Sequence, residues 1–135
     1  MTAPPPGFAP IRSSNPFGKA NGPIYHREDE AGWARGFRVE DKHCNAGRVA
    51  HGGMLMTFAD ILLAQAVLKQ TPPPFVTLRL VSDFVAPAPL GAWVEGTARV
   101  IRSTREIVFV EGMVFADGAP SLNVSALFKR RRRQE

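Results

Sequence analysis

The chain has 135 residues, 44% of them hydrophobic and 9% aromatic, with 17 Lys and Arg against 12 Asp and Glu. That length suits one domain with a real core rather than two, and no apolar run reaches the roughly 18 residues that a membrane span needs. Five of the positive charges fall in "KRRRR" (129–133), which leaves the preceding 128 residues at +1; with so neutral a body, nucleic acid is not the expected partner.

Residues 1–30, which begin "MTAPPPGFAPIRSSNPFGKANGPIY", are rich in Pro, Gly, Ser and Asn and lack a hydrophobic period, so an extended arm is predicted there. They have neither the basic n-region nor the apolar h-region of a secretory signal, and a cytoplasmic protein is expected. The lone cysteine, Cys44, excludes an internal disulfide framework and reads as a small buried hydrophobe; no metal site is expected. "GWARGFRVE" (32–40) alternates, with Trp33, Arg35, Phe37 and Val39 on one side, which predicts a first strand.

After a loop, "HGGMLMTFADILLAQAVLKQ" places Leu55, Phe58, Ala59, Leu62, Leu63, Ala66 and Val67 at helical spacing, and Pro72, Pro73 and Pro74 end the run. Four β-rich runs follow, at 75–87, 92–103, 106–116 and 121–129. The breakers between them, "PAPLG", "RST" and "DGAP", are short enough for hairpins, so neighbours in sequence should pair antiparallel. One strand, one long helix and four more strands make an α+β domain over 31–129, with 130–135 as a solvated basic tail. A helix apolar on most of its circumference needs a sheet on one side and something else on the other, such as a second subunit.

Two features of the helix bear on chemistry. Gly52 and Gly53 at its start admit a ligand close to the backbone and leave N–H groups pointing outward, which suits an anion or a developing oxyanion; tight packing would be the plainer reason for them. Asp60 lies at mid-helix between Ala59 and Ile61. There an ionised carboxylate costs several kcal/mol unless it is paired or wetted, and burial would make it a better base. Thr57, one turn earlier, could bond it. Asn45 and His51, on the loop leading into the helix, can face the same opening as Gly52, with the histidine more naturally a structural hydrogen-bonder than a base.

Asn45, then His51-Gly52-Gly53 six residues on, then Asp60 nine after the histidine, followed by strands alone, resembles the hotdog-fold acyl-CoA thioesterases of the phenylacetate-pathway (PaaI-like) type. The resemblance spans roughly 33–128, is densest over 43–67 and includes "FVTLRLVSDFVAPAPLG". It implies an antiparallel sheet wrapped around the helix, a homodimer or a dimer of dimers, and acyl-CoA as substrate, with CoA part of that substrate and no separate cofactor. It further implies that the Gly52 N–H, helped by Asn45, polarises the thioester carbonyl, and that Asp60 of the facing subunit activates water or attacks directly. Thr77 stands where some relatives keep a serine that helps hold the water. Gly47 follows Asn45 by two residues where some relatives place it three on, which leaves the aim of Asn45 open. Gly53, Met54, Phe58 and residues near Phe84 are expected to bound the acyl pocket. A hotdog module that binds acyl-CoA without cleaving it is the competing reading, and nothing in the sequence names the acyl group.

Overall fold

The computed structural model describes residues 3–12 and 15–131. In chain order the elements are β1 (Ala9–Pro10), α1 (Pro16–Asn21), β2 (Tyr25–Asp29), β3 (Gly32–Arg38), α2 (Gly52–Leu68), β4 (Phe75–Phe84), β5 (Trp93–Ser103), β6 (Ile107–Ala116) and β7 (Ala119–Arg130). The strands form one antiparallel sheet in the order β1-β2-β3-β5-β6-β7-β4. This is the α+β hotdog architecture, a sheet packed around one main helix. Among the described residues, no helix is long and apolar enough to cross a membrane.

Helix α2 presses Leu55, Phe58, Ala59, Leu62, Leu63 and Val67 into the sheet, each at most 3% exposed. Facing them are Phe37, Val94, Val108, Val110, Val114, Leu122 and Phe128, all 1% exposed or less, from every second position of their strands. Gly96 on β5 is what lets the helix settle so low. A Cβ there would stand 2.8 Å from Leu62 Cδ2 and 2.8 Å from the Met113 carbonyl oxygen.

The N-terminal region differs from the arm predicted for 1–30. Asn15 caps α1 by accepting the Gly18 N–H at 2.6 Å, and Pro16 occupies the first helical turn, where its missing N–H costs nothing. Strand β2 then pairs with β3 through a two-residue turn in which the Asp29 carboxylate accepts the Ala31 N–H. The sequence hides this because β2, "YHRED", has no apolar alternation. It is held by backbone pairing and by a small separate cluster in which Phe8 packs edge-on against Trp93 at 5.1 Å.

Two further corrections concern the strands. "PAPLG" does not close a hairpin, since β4 lies at the far edge of the sheet beside β7 while β5 joins β3; the chain crosses over between them. The polarity of the segment marks a loop but not its destination. At the other end, β7 runs through Arg130, a residue that the charge pattern assigns to the tail. Its guanidinium donates to Thr71 Oγ1 at 3.0 Å, to Ser103 Oγ and to the Thr104 carbonyl, so it clamps the β5–β6 turn to the end of α2. The remainder of the basic run, from residue 132, lies outside the described residues.

Strand β4 carries a bulge at Leu78: Thr77 pairs with Phe128 while Arg79 pairs with Leu127. The extra residue shifts the alternation by one. Odd positions Phe75 and Thr77 face α2 before it, and even positions Leu80, Ser82 and Phe84 face α2 after it. Strand and helix therefore meet in antiparallel fashion, with Thr77 against Asp60, Ser82 against Met56 and Phe84 against Gly52.

Two stability outcomes follow from this packing. Phe58→Ala, which empties a fully buried site 5.0 Å from the Phe37 ring centroid, is expected to cost about 3–5 kcal/mol in urea denaturation. His51 caps α2, its Nδ1 accepting the Gly53 N–H at 2.9 Å; His51→Ala should therefore cost about 1 kcal/mol, and His51→Asn should recover most of it.

Candidate functional site

The face of α2 turned away from the sheet carries Thr57, Asp60, Ile61, Ala64, Gln65 and Leu68, which line one wall of a groove of about 970 Å³. The opposite wall comes from the N-terminal region, with Ile11, Phe17 and Ile24, and Phe75 of β4 closes one side. The segment expected to be a bare arm thus forms one wall of the groove that holds the helix carboxylate.

Asp60 is half-buried and opens on this groove, so the desolvation expected of a core carboxylate is not met. Thr77 Oγ1 donates to Asp60 Oδ1 at 2.7 Å. That bond fixes the carboxylate on a rigid helix and leaves its second oxygen for another proton donor. Thr57 does not take part. Its hydroxyl donates instead to the Gly53 carbonyl one turn back, at 2.9 Å, the usual internal partner for a threonine inside a helix.

The other group of candidates gathers at the start of α2. With the Gly53 N–H taken by His51, the Gly52 N–H has no acceptor among the described residues. The acceptor role of His51 Nδ1 puts the imidazole proton on Nε2. A Cβ on Gly52 would lie 3.4 Å from the Phe84 ring, which is 57% exposed and forms a wall beside that N–H. Asn45 sits on the neighbouring loop, tied to it by the Cys44–Ala50 bridge. Its Oδ1 accepts the Gly47 N–H at 2.9 Å, and its side-chain NH2 has no acceptor among the described residues. Gly47, two residues on, thus holds the side-chain oxygen of Asn45. Met54 is buried beneath the helix start, and Phe58 is enclosed by the core with no exposed surface, so in the single chain Phe58 supports the helix and does not face the groove.

Along α2, Gly52 and Asp60 are eight residues apart, or about 12 Å at 1.5 Å per residue. The carboxylate and the free N–H of one chain thus lie at separate places, too far apart to act on one carbonyl group.

Sequence reasoning passes over two residues of this region. Arg35 reads only as a member of an alternating strand, and His26 shows no partner. In the folded chain Arg35 Nη2 donates to Gln65 Oε1 at 2.9 Å and its Nε to His26 Nδ1 at 3.2 Å, while His26 Nε2 meets Glu28 Oε1 at 3.0 Å. His43, also without an evident partner in the sequence, is buried; its Nδ1 accepts the Glu40 N–H and its Nε2 donates to the Asn21 carbonyl, joining the loop to the end of α1. The spacing of an arginine among apolar strand residues is the available signal for Arg35.

Comparison with known proteins places the chain in a family. The model of the thioesterase superfamily matches residues 47–121, from the loop before α2 into β7. "Putative esterase PA0474" of Pseudomonas aeruginosa is 34% identical over 127 residues, covering 92% of this chain and 95% of its own length. Among solved structures, the BH2602 protein of Bacillus halodurans with CoA is similar at a TM-score of 0.74 and 25% identity, covering 81% of this chain and 74% of that one. A mutant of the phenylacetic acid degradation protein PaaI of Thermus thermophilus is similar at a TM-score of 0.73 and 25% identity, covering 87% of this chain and 100% of that one. With the superfamily match running through the helix, its glycine start and Asp60, and a relative aligned nearly end to end, the chain belongs to the thioesterase superfamily.

Proposed function

We propose that the protein hydrolyses acyl-CoA thioesters to the free acid and CoA, in a site made by two copies of the chain. The observation that carries this reading is the separation of two complementary halves. One is a carboxylate oriented by Thr77, and the other an unpaired helix-start N–H beside the donor of Asn45. Each half lacks what the other offers, and about 12 Å of helix divides them in one chain. A second copy laid against α2 with its helix start near Asp60 supplies the missing half in each direction, giving two equivalent sites under two-fold symmetry.

The surface of the chain favours such a partner. Strand β4 is an edge of the sheet, paired on one side only, with Leu78 53%, Val81 42% and Phe84 57% exposed. An open, apolar edge of ten residues invites pairing with another strand.

In this site the Gly52 N–H, supported by the helix dipole and the Asn45 amide, holds the thioester oxygen and stabilises the charge it gains as the carbonyl carbon becomes tetrahedral. Asp60 of the facing copy takes a proton from water as the water oxygen bonds to that carbon. The C–S bond then breaks and the departing sulfur receives a proton. Attack by the carboxylate itself, with water cleaving the resulting anhydride, uses the same geometry. Neither route draws on a metal or a cofactor, since CoA enters as part of the substrate. That BH2602 was solved with CoA supports the choice of thiol.

Asp60→Asn is expected to lower thiol release from acyl-CoA by about a hundredfold or more while the melting temperature stays near that of the parent. Acyl-CoA binding without turnover in the parent protein would instead indicate a non-catalytic module. A mixing experiment tests the shared site. Gly52→Pro removes the N–H at a helical position that tolerates proline, and should be inactive alone. Refolded together, Asp60→Asn and Gly52→Pro chains form mixed dimers with one intact site of two, so about a quarter of the parent activity should return. No recovery would place both groups' action within one chain and overturn the shared site.

A further inference from the structure

The groove beside Asp60 carries an imbalance of charge that hydrolysis does not use. Its described lining holds four cations, Arg12, Lys19, Arg35 and Lys42, and one carboxylate, Asp60. Three of the cations lie in or next to the N-terminal region, and Lys42 is engaged with the Gly22 carbonyl. Arg35 differs from them because it rises from β3 into the interior of the cleft.

Arg35 is half-buried, yet no carboxylate meets it among the described residues. Its two hydrogen-bonded nitrogens are held by neutral acceptors, the amide oxygen of Gln65 and Nδ1 of His26. The acid behind His26, Glu28, is already bound to Lys69 Nζ at 2.8 Å. Arg35 Nη1 has no acceptor among the described residues. Burial pushes the guanidinium down from the ordinary arginine range, the direction expected of a cation left without a counter-charge. Two partners fix the plane of the group while one edge stays open, which is how a guanidinium is prepared for a planar anion.

The distance from the reacting centre is set by the helix. Gln65, which anchors Arg35, is five residues beyond Asp60, or about 7.5 Å along the axis. Between them the wall is apolar, with Ile61 and Ala64 on α2 facing Phe17 and Phe75 across the groove. A carbonyl placed at Asp60 would therefore be followed by a stretch that accepts methylenes and then by an unpaired cation.

We propose that the groove selects acyl thioesters whose acyl chain ends in a carboxylate, about 7–8 Å from the thioester carbonyl, with Arg35 as the residue that determines this specificity. The proposal rests on the thioesterase reading and names its substrate class. The reaction is unchanged, and the product is a dicarboxylic acid with CoA. A cation in this place could also meet a phosphate of the coenzyme, and the test separates the two anions.

The test compares kcat/KM for adipyl-CoA and hexanoyl-CoA, which match in carbon number, and for the same acyl groups on N-acetylcysteamine, which lacks phosphates. The parent protein should favour adipyl about tenfold or more on both carriers. In Arg35→Gln that preference should fall about tenfold on both, and Arg35→Lys should keep part of it. Absence of an adipyl preference in the parent would overturn the proposal, as would an equal loss on both acyl groups in Arg35→Gln. A loss confined to the CoA substrates would assign Arg35 to the coenzyme and overturn it too. If no thioester is cleaved, the thioesterase reading fails on its own terms, and calorimetric titration with adipamate and hexanamide, whose amide carbonyl is neutral like that of a thioester, still judges the groove. Adipamate binding that Arg35→Gln removes would support it, and no preference for adipamate over hexanamide would overturn it.

Discussion

The burial of one face of α2 against the sheet is the constraint on which everything else in this molecule depends. Phe58, Leu62, Leu63 and Val67 have no exposed surface, and at about 1.5–3 kcal/mol for each large apolar side chain removed from water they fix both the position and the rotation of the helix. Once that rotation is set, the positions of Thr57, Asp60, Ile61 and Gln65 are no longer free. The stripe that carries the candidate site is the complement of the stripe that carries the stability. Gly96 sharpens the constraint, since any side chain there would lift the helix and move Asp60 relative to Thr77.

How much of this can be read in the sequence depends on how local the cause is. Helix α2 and strands β5, β6 and β7 are legible because each has a strong period and is bounded by Pro, Gly or Ser. The constellation Asn45, His51, Gly52, Asp60 is legible because its spacing is local and joint. What stays hidden arises from pairing between segments distant in sequence. β2 has polar side chains and owes its existence to β3. The crossing of β4 to the far edge is decided by the sheet as a whole, and no residue of "PAPLG" encodes it. Arg35 looks like one more member of an alternating strand because its meaning depends on Gln65, thirty residues later, and on the N-terminal region that roofs the groove.

The two halves of the candidate site also differ in how they are held. Asp60 is a side chain on the middle of a packed helix, braced by a strand hydroxyl, and little can move it. The Gly52 N–H belongs to the first turn, where the chain enters from a loop that His43 and the Cys44–Ala50 bridge tie down. Rigidity there comes from hydrogen bonds to backbone rather than from core packing. A substitution in the 43–50 loop would therefore disturb the donor half while leaving the carboxylate half as it was.

The bulge at Leu78 divides β4 into two stretches of opposite phase, and each supplies a different wall: Phe75 and Thr77 on one side of it, Ser82 and Phe84 on the other. Exchanges of single side chains facing α2 leave this phase intact, but an insertion does not. A gain of one residue between Thr77 and Ser82 would reverse one stretch, removing the brace on Asp60 or the ring beside Gly52 in a single step, whereas loss of Leu78 would restore regular pairing with β7 and leave both in place.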